Sequence, residues 1–255
     1  MLLRGFACNA SAMQQAPPPT FGSHAISLFL DFDGTLVDLA EHPEAVIVGD
    51  ALRALLTELA GRLGGRVALV SGRSIDQIDR LVGPVAHSLA VVGSHGGEVR
   101  AAGAIVLRPE RPPMLGNAER AFNQAFLDRE GVIIEVKSLG VAIHYRQNPS
   151  FAAEANALAE RFGAESGLMV QKGKMMVELR SAGHDKGSGI AALMQSPPFA
   201  GHIPVFLGDD VTDEPGFELC AALGGAGILV GPDRETAAQY RLTSVADVHH
   251  WLRGL

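Results

Sequence analysis

Cysteine is scarce in this chain of 255 residues: there are two, Cys8 and Cys220, with no CxxC spacing and no Cys/His cluster. Two such residues cannot build a disulfide framework, and no ligand pattern of the zinc-finger kind is present. That usage fits a reducing cytoplasm. Long apolar runs are also missing, and none approaches the roughly 18 residues that identify a membrane span. Positive charge is in deficit, with 21 Lys and Arg against 28 Asp and Glu and a net charge of −7. No basic stripe exists for a nucleic-acid backbone to reward. A small anionic substrate is not excluded, because it needs only a few local cations. No feature calls for an obligate protein partner.

What is present suffices for a full core, since 47% of the residues are hydrophobic. That length supports one large domain or two modest ones. Residues 1–24 stand apart: they hold Pro17-Pro18-Pro19, a single Arg and no apolar stretch long enough for a secretory signal. We read them as a disordered tail, with Met13 as an alternative start and a targeting role as the weaker reading.

From Ala25 the pattern is regular. Ile26 to Leu30 is a nearly continuous apolar run, as expected of a strand buried on both faces. Leu52, Leu55, Leu56, Leu59 and Leu63 recur at helical spacing until Gly64-Gly65 ends the helix. Val67 to Val70 reads as a second strand, and Ser74 with Gln77 as a capping box for the next helix. Leu89 to Val92 is a third strand, leading to a hairpin through residues 101–103. The alternation resumes with helices at 187–194, 214–223 and 245–252 and strands at 204–207 and 228–230. Such alternation implies an α/β fold with a parallel sheet and helices on both faces. Ligands on these sheets sit beyond the carboxyl ends of the strands. Here those ends read Asp31-Phe32-Asp33, Ser71-Gly72-Arg73, Gly93-Ser94-His95 and Gly208-Asp209-Asp210.

Between about Pro109 and Gly183 the period changes to two. Residues 132–138, 141–146 and 174–180 alternate apolar and polar, which implies strands with one buried and one wet face. The wet face collects Glu135, Lys137, His144, Arg146, Lys174, Glu178 and Arg180. Helices near 117–130 and 151–166 would cover the other side. The expected organisation is therefore a core from 25–108 plus 184–255, with an inserted α+β module at 109–183.

Taken alone, an Asp-x-Asp after a strand is more often a turn or a helix cap than a site. Four features weigh against that reading: the second pair Asp209-Asp210, Ser71, Lys186 at the start of a core helix, and their common placement at strand ends. Two carboxylates this close repel unless a cation sits between them, and magnesium prefers hard oxygen ligands. A carboxylate ionised at neutral pH needs no base before it attacks phosphorus, so Asp31 can serve as nucleophile. Asp33 can then protonate the leaving oxygen and later take a proton from water. Ser71 and the helix N-terminus beyond it offer donors to phosphate oxygens, and Lys186 a point charge.

Together these residues resemble the haloacid dehalogenase (HAD) superfamily of phosphotransferases. The matching motifs are Asp31-Phe32-Asp33-Gly34-Thr35-Leu36, Ser71, Lys186 and Gly208-Asp209-Asp210, and they span nearly the whole chain after residue 24. The resemblance implies a Rossmann-like core with an inserted cap. It also implies Asp31 as nucleophile, Asp33 as acid and base, and magnesium held by Asp31, the Asp33 carbonyl and Asp209.

Within that superfamily the chain is similar to the trehalose-6-phosphate phosphatases. The narrower likeness rests on Pro43 and Ala45 downstream of the first motif, Ser71-Gly72-Arg73, His95-Gly96-Gly97-Glu98, and Gly208 through Glu214. Gly97 stands where that family usually has Ala, a small departure expected to be neutral. The resemblance implies hydrolysis of trehalose 6-phosphate and assigns Lys137, His144, Arg146, Lys174, Glu178 and Asp210 to the sugar phosphate. Asp213, Arg73, His95 and Glu98 would support the site, although Arg73 and Glu98 could equally pair on the surface. Other outcomes stay open: a phosphatase for sucrose or mannosylglycerate phosphate, a mutase that returns phosphate to a sugar, or a sensor without turnover.

Overall fold

The computed structural model describes residues 15–22, 24–40, 45–101 and 104–255. Pro43 and the turn at 102–103 lie outside them. The strands are β1 (Ile26–Asp31), β2 (Val67–Val70), β3 (Ala90–Gly93), β4 (Glu98–Ala101), β5 (Ala104–Leu107), β6 (Ile133–Val136), β7 (Gly140–His144), β8 (Met169–Gly173), β9 (Met176–Arg180), β10 (Ile203–Gly208), β11 (Ala226–Val230) and β12 (Tyr240–Leu242). The helices are α1 (Asp50–Arg62), α2 (Ile75–Val82), α3 (Pro113–Ala125), α4 (Ala152–Ser166), α5 (Lys186–Met194), α6 (Glu214–Ala222) and α7 (Val245–Arg253). Among the described residues, no helix is long and apolar enough to cross a membrane.

Eight strands form the larger sheet, in the order β12-β11-β10-β1-β2-β3-β4-β5. It is parallel from β12 to β3 and turns antiparallel through β4 and β5. Every residue of β1 is buried, because strands lie on both its edges and helices on both its faces. One face packs Leu28 and Leu30 with Leu52, Leu56 and Leu59 of α1, Ile78 of α2 and Leu252 of α7. The other packs Phe29 and Phe206 with Ile190 of α5 and Phe217 of α6. The Ser74–Gln77 capping box that the sequence suggests is formed at the start of α2.

The inserted segment builds a separate antiparallel sheet, ordered β6-β7-β9-β8. Its apolar face meets α3 and α4 through Phe122, Ala155, Ala159, Val141, Val177 and Leu179. The observed β8 was not apparent from sequence, because Met169-Val170-Gln171-Lys172-Gly173 carries little alternation. Lys174 consequently lies in the β8–β9 turn rather than inside a strand, and Arg146 lies past the end of β7. Register still places Glu135, Glu178 and Gln171 in one row across the sheet.

Part of the stretch read as a tail departs from that reading. Ala16 bridges to Tyr240 and its carbonyl accepts from the Arg241 N–H at 3.0 Å, so residues 15–22 run along the β12 edge of the sheet. Phe21 meets Tyr240 and Trp251 edge to face, with ring centroids 6.4 and 6.1 Å apart. Backbone pairing and aromatic burial offset the chain entropy that the Pro-rich composition suggested would win. Phe21→Ala is expected to shift the emission of Trp251, the single tryptophan, to the red. Denaturant unfolding should show a loss of about 1–2 kcal/mol, with phosphatase kinetics unaltered.

Candidate active site

The carboxyl ends of β1, β2 and β10 and the wet face of the smaller sheet enclose one cavity of about 200 Å³. Every site residue expected from sequence lines it except Asp213 and Glu98, which lie buried behind its wall. Chain geometry explains the convergence. Asp31 ends β1, Ser71 follows β2 and Asp209 follows β10, and in a parallel sheet those ends share one edge.

Lys186 is the first residue of α5, held there by a capping box between Asp185 and Ser188. Its buried ammonium donates to Asp31 Oδ1 at 2.7 Å and to Asp213 Oδ1 at 2.6 Å. Burial alone would pull the Lys186 pKa down, but Asp213 and Asp31 outweigh it and hold the value above the ordinary lysine range. Asp31 is pushed well up, first by burial and then by Asp213 and Asp209, against the pull of Lys186. Its second oxygen, Oδ2, is buried without a hydrogen-bond partner. The other oxygen of Asp213 accepts from the Asp210 N–H at 2.9 Å, so Asp213 is fully engaged.

Carboxylate oxygens of Asp31, Asp209 and Asp213 lie within 4.8 Å of one another. An unsatisfied buried oxygen beside two further carboxylates is the donor chemistry that suits a hard divalent cation. The side chain of Asp33 is not in this group. Arg73 grips both its oxygens, Nε to Oδ2 at 2.7 Å and Nη2 to Oδ1 at 2.8 Å. Close packing fixes the loops around the cluster: Gly34 has φ +89°, and a Cβ there would lie 2.3 Å from Asp209 Oδ2. Only glycine fits that approach.

Ser71 accepts the Arg73 N–H at 3.1 Å, which leaves its own proton free to donate into the cavity. Its carbonyl accepts from the His95 N–H at 3.0 Å. Ser94 and His95 both adopt left-handed backbone, with φ 49° and 54°. Such strain persists only where neighbours over-determine it. Glu98 supplies that restraint, as one buried oxygen accepts from the Ile75 N–H and the Ser94 hydroxyl, each at 3.0 Å. Glu98 is therefore an internal brace whose other oxygen meets the partly exposed Arg108 at 3.5 Å, and Arg73 is committed to Asp33. Gly97 is tightly enclosed: a Cβ would lie 2.5 Å from Leu139 Cδ1 and 2.7 Å from His184 Nε2. Both atoms are the far ends of side chains, so the alanine of the resembling family would require Leu139 and His184 to shift and no backbone to move.

Across the cavity, Lys137 donates to Glu178 at 2.7 Å and His144 pairs with Glu135 at 2.8 Å. Gln77 of α2 donates to the other oxygen of Glu135, and His95 sits 3.3 Å from Gln171 and 3.8 Å from Glu178. Lys174 reaches over to Asp209 Oδ2 at 2.7 Å. Glu135 and Gln171 were not singled out in advance. Glu135 shared a polar face with Lys137 and was findable, whereas Gln171 sits on the unrecognised β8.

The fold is the one found in phosphatases of the HAD type. A solved member of the HAD enzyme superfamily from Bacteroides thetaiotaomicron aligns over 92% of this chain and 95% of its own at TM-score 0.60. At 15% identity that likeness concerns the fold alone. The particular family follows from sequence: the model described as trehalose-phosphatase matches residues 29–246, and the chain belongs to that family. It is 41% identical over 208 residues to the probable trehalose-phosphate phosphatase of Sinorhizobium fredii, covering 81% of this chain and 78% of that protein. It is 38% identical over 226 residues to the trehalose-6-phosphate phosphatase of Escherichia coli, covering 88% and 84%.

Burial would raise Glu178, but Lys137 outweighs it and holds the carboxyl at about 2. Burial also acts on Glu135, where His144 and Lys137 prevail and the value is again about 2. His95 adds little charge to this network, since burial pushes it toward the neutral form. Folded-state values below the ordinary 4.5 mean stability that is complete above about pH 4.5 and lost as pH falls toward 2. Glu178→Gln should lower stability at pH 7 by about 3 kcal/mol, because Lys137 loses its buried partner. The same variant should flatten the acid limb of urea midpoints measured from pH 6 to pH 3. An unchanged acid limb would contradict the assignment.

Proposed function

We propose that this enzyme hydrolyses trehalose 6-phosphate to trehalose and phosphate through an aspartyl-phosphate on Asp31, with magnesium as cofactor. The observation that carries the reading is the asymmetry of Asp31. One oxygen is pinned by Lys186, the other is buried and unpartnered, and the carboxylate lies beside those of Asp209 and Asp213. Asp31 and Asp209, with the carbonyl of Asp33, would hold the ion, and Asp213 would anchor Lys186 behind them. When bound, magnesium neutralises the carboxylates and screens the incoming phosphate dianion.

The remaining steps fall to side chains. Asp31 attacks phosphorus, and Lys186 and the Ser71 hydroxyl receive charge on the phosphoryl oxygens. Asp33 turns out of the Arg73 fork to protonate the departing sugar oxygen, then accepts a proton from the water that cleaves the acyl phosphate. Segment 109–183 acts as a cap over the core. Its charged pairs, Lys137–Glu178 and His144–Glu135, present fixed donors and acceptors to sugar hydroxyls, with Arg146, Lys174 and Asp210 at the rim. Closure of the cap excludes water during transfer and favours the disaccharide over smaller esters. The names of the two relatives support this substrate, and the presence of both Asp31 and Asp33 supports turnover over a binding-only sensor.

Phosphate release from a panel of sugar phosphates, with magnesium and with chelator, tests the proposal. Trehalose 6-phosphate should exceed glucose 6-phosphate, sucrose phosphate and mannosylglycerate phosphate, chelator should abolish turnover, and Asp31→Asn should be inactive. Glu178→Ala should raise KM for the disaccharide while an aryl phosphate is still cleaved. Equal rates across the panel would overturn the substrate. Consumption of substrate without free phosphate would indicate a mutase.

A further inference from the structure

We propose that Lys174 is a tethered cation that stands in for the divalent ion at Asp209 and is displaced when the ion binds, so that filling the metal site releases the tip of the cap from the core. This rests on the reading of Asp31 and Asp209 as metal ligands.

Lys174 occupies the two-residue turn between β8 and β9, where Met175 has φ 64°. The backbone of that turn belongs firmly to the cap: Arg146 donates to the Lys174 carbonyl at 3.2 Å, and the Tyr145 N–H to the Met175 carbonyl at 3.1 Å. Its ammonium nevertheless lies 2.7 Å from Asp209 Oδ2, across the junction. The ion pair therefore ties the turn to the core, and whatever dissolves it frees the turn.

Charge explains why the contact forms without the ion. Asp209 shares its surroundings with Asp31 and Asp213, and burial disfavours another uncompensated carboxylate there. Lys186 is committed to Asp31 and Asp213, so it does not hydrogen-bond to Asp209. A divalent ion at the same oxygens satisfies them more fully and repels the ammonium. The two lysines differ in their freedom to respond. The Lys186 side chain is 4% exposed and fixed, whereas that of Lys174 is 50% exposed and can return to water with little loss of hydration.

Mn²⁺ titration of the full, substrate-free chain, followed by the free-ion paramagnetic resonance signal, tests this. Lys174→Gln should bind Mn²⁺ roughly 1.5-fold to fivefold more tightly than wild type, the range expected when a half-exposed ion pair no longer competes. Lys172→Gln is the control for net charge, because Lys172 lies on the same hairpin but pairs with Glu160 at 2.8 Å, and it should match wild type. Amide exchange at residues 173–176 should accelerate on adding Mn²⁺ to wild type and be fast throughout in Lys174→Gln. Equal or weaker Mn²⁺ binding by Lys174→Gln, or an equal gain in Lys172→Gln, overturns the proposal. Asp209→Asn separates the two claims. Wild-type affinity in that variant places the ion elsewhere and both readings fall, whereas loss of the ion with Lys174→Gln unchanged removes only the lysine claim.

Discussion

A single buried ammonium organises this protein. Lys186 sits between Asp31 at the end of β1 and Asp213 in the short turn after β10, and so binds two strands of the central sheet to the N-terminus of α5. Removing one member of such a group leaves charge stranded in low dielectric, typically at about 3–5 kcal/mol. The group is therefore structural and chemical at once. It fixes one oxygen of Asp31 and leaves the other unpaired, and it fixes Asp213, whose second oxygen holds the Asp209-Asp210 turn in place. Arg73, Gly34, Glu98 and the strained Ser94-His95 turn pack around that arrangement and restrict how far any loop can drift.

The smaller sheet follows a different electrostatic logic. Its apolar face is an ordinary core against two helices, while its polar face holds carboxylates and cations in close pairs that are almost wholly buried. Contacts across the junction with the core include hydrogen bonds between Gln77 and Glu135, Ser94 and Ser138, and Lys174 and Asp209, beside the buried Leu139 at Gly97. The hydrogen bonds there can exchange their partners for water at small net cost.

Much of this was legible in the chain. Continuous apolar runs marked the parallel strands, period-two alternation marked β6, β7 and β9, and the polar ends of β1, β2 and β10 marked the site. Those signals are local, and each survives folding because one buried face dictates it. What escaped was set by distant contacts. β8 lacks alternation, so Gln171 went unnoticed and Lys174 was placed in a strand instead of a turn. The role of Asp213 depends on a lysine 27 positions away in sequence. Residues 15–22 read as disordered from their prolines, but pairing with β12 and packing on Trp251 decide otherwise. Glu98 gave no sign of burial, because one of its oxygens is held by a backbone N–H and by a hydroxyl on a strained turn, partners that local sequence does not reveal.

The account stands or falls on Asp31 as the atom that receives phosphate. Trehalose 6-phosphate labelled in its phosphoryl group, mixed with enzyme and magnesium and quenched in acid within one turnover, would report this directly. The account predicts a transient acyl-phosphate on the peptide bearing Asp31, decaying as free phosphate appears and absent from Asp31→Asn. Full turnover with no labelled protein at any quench time, or label on another residue, would contradict it.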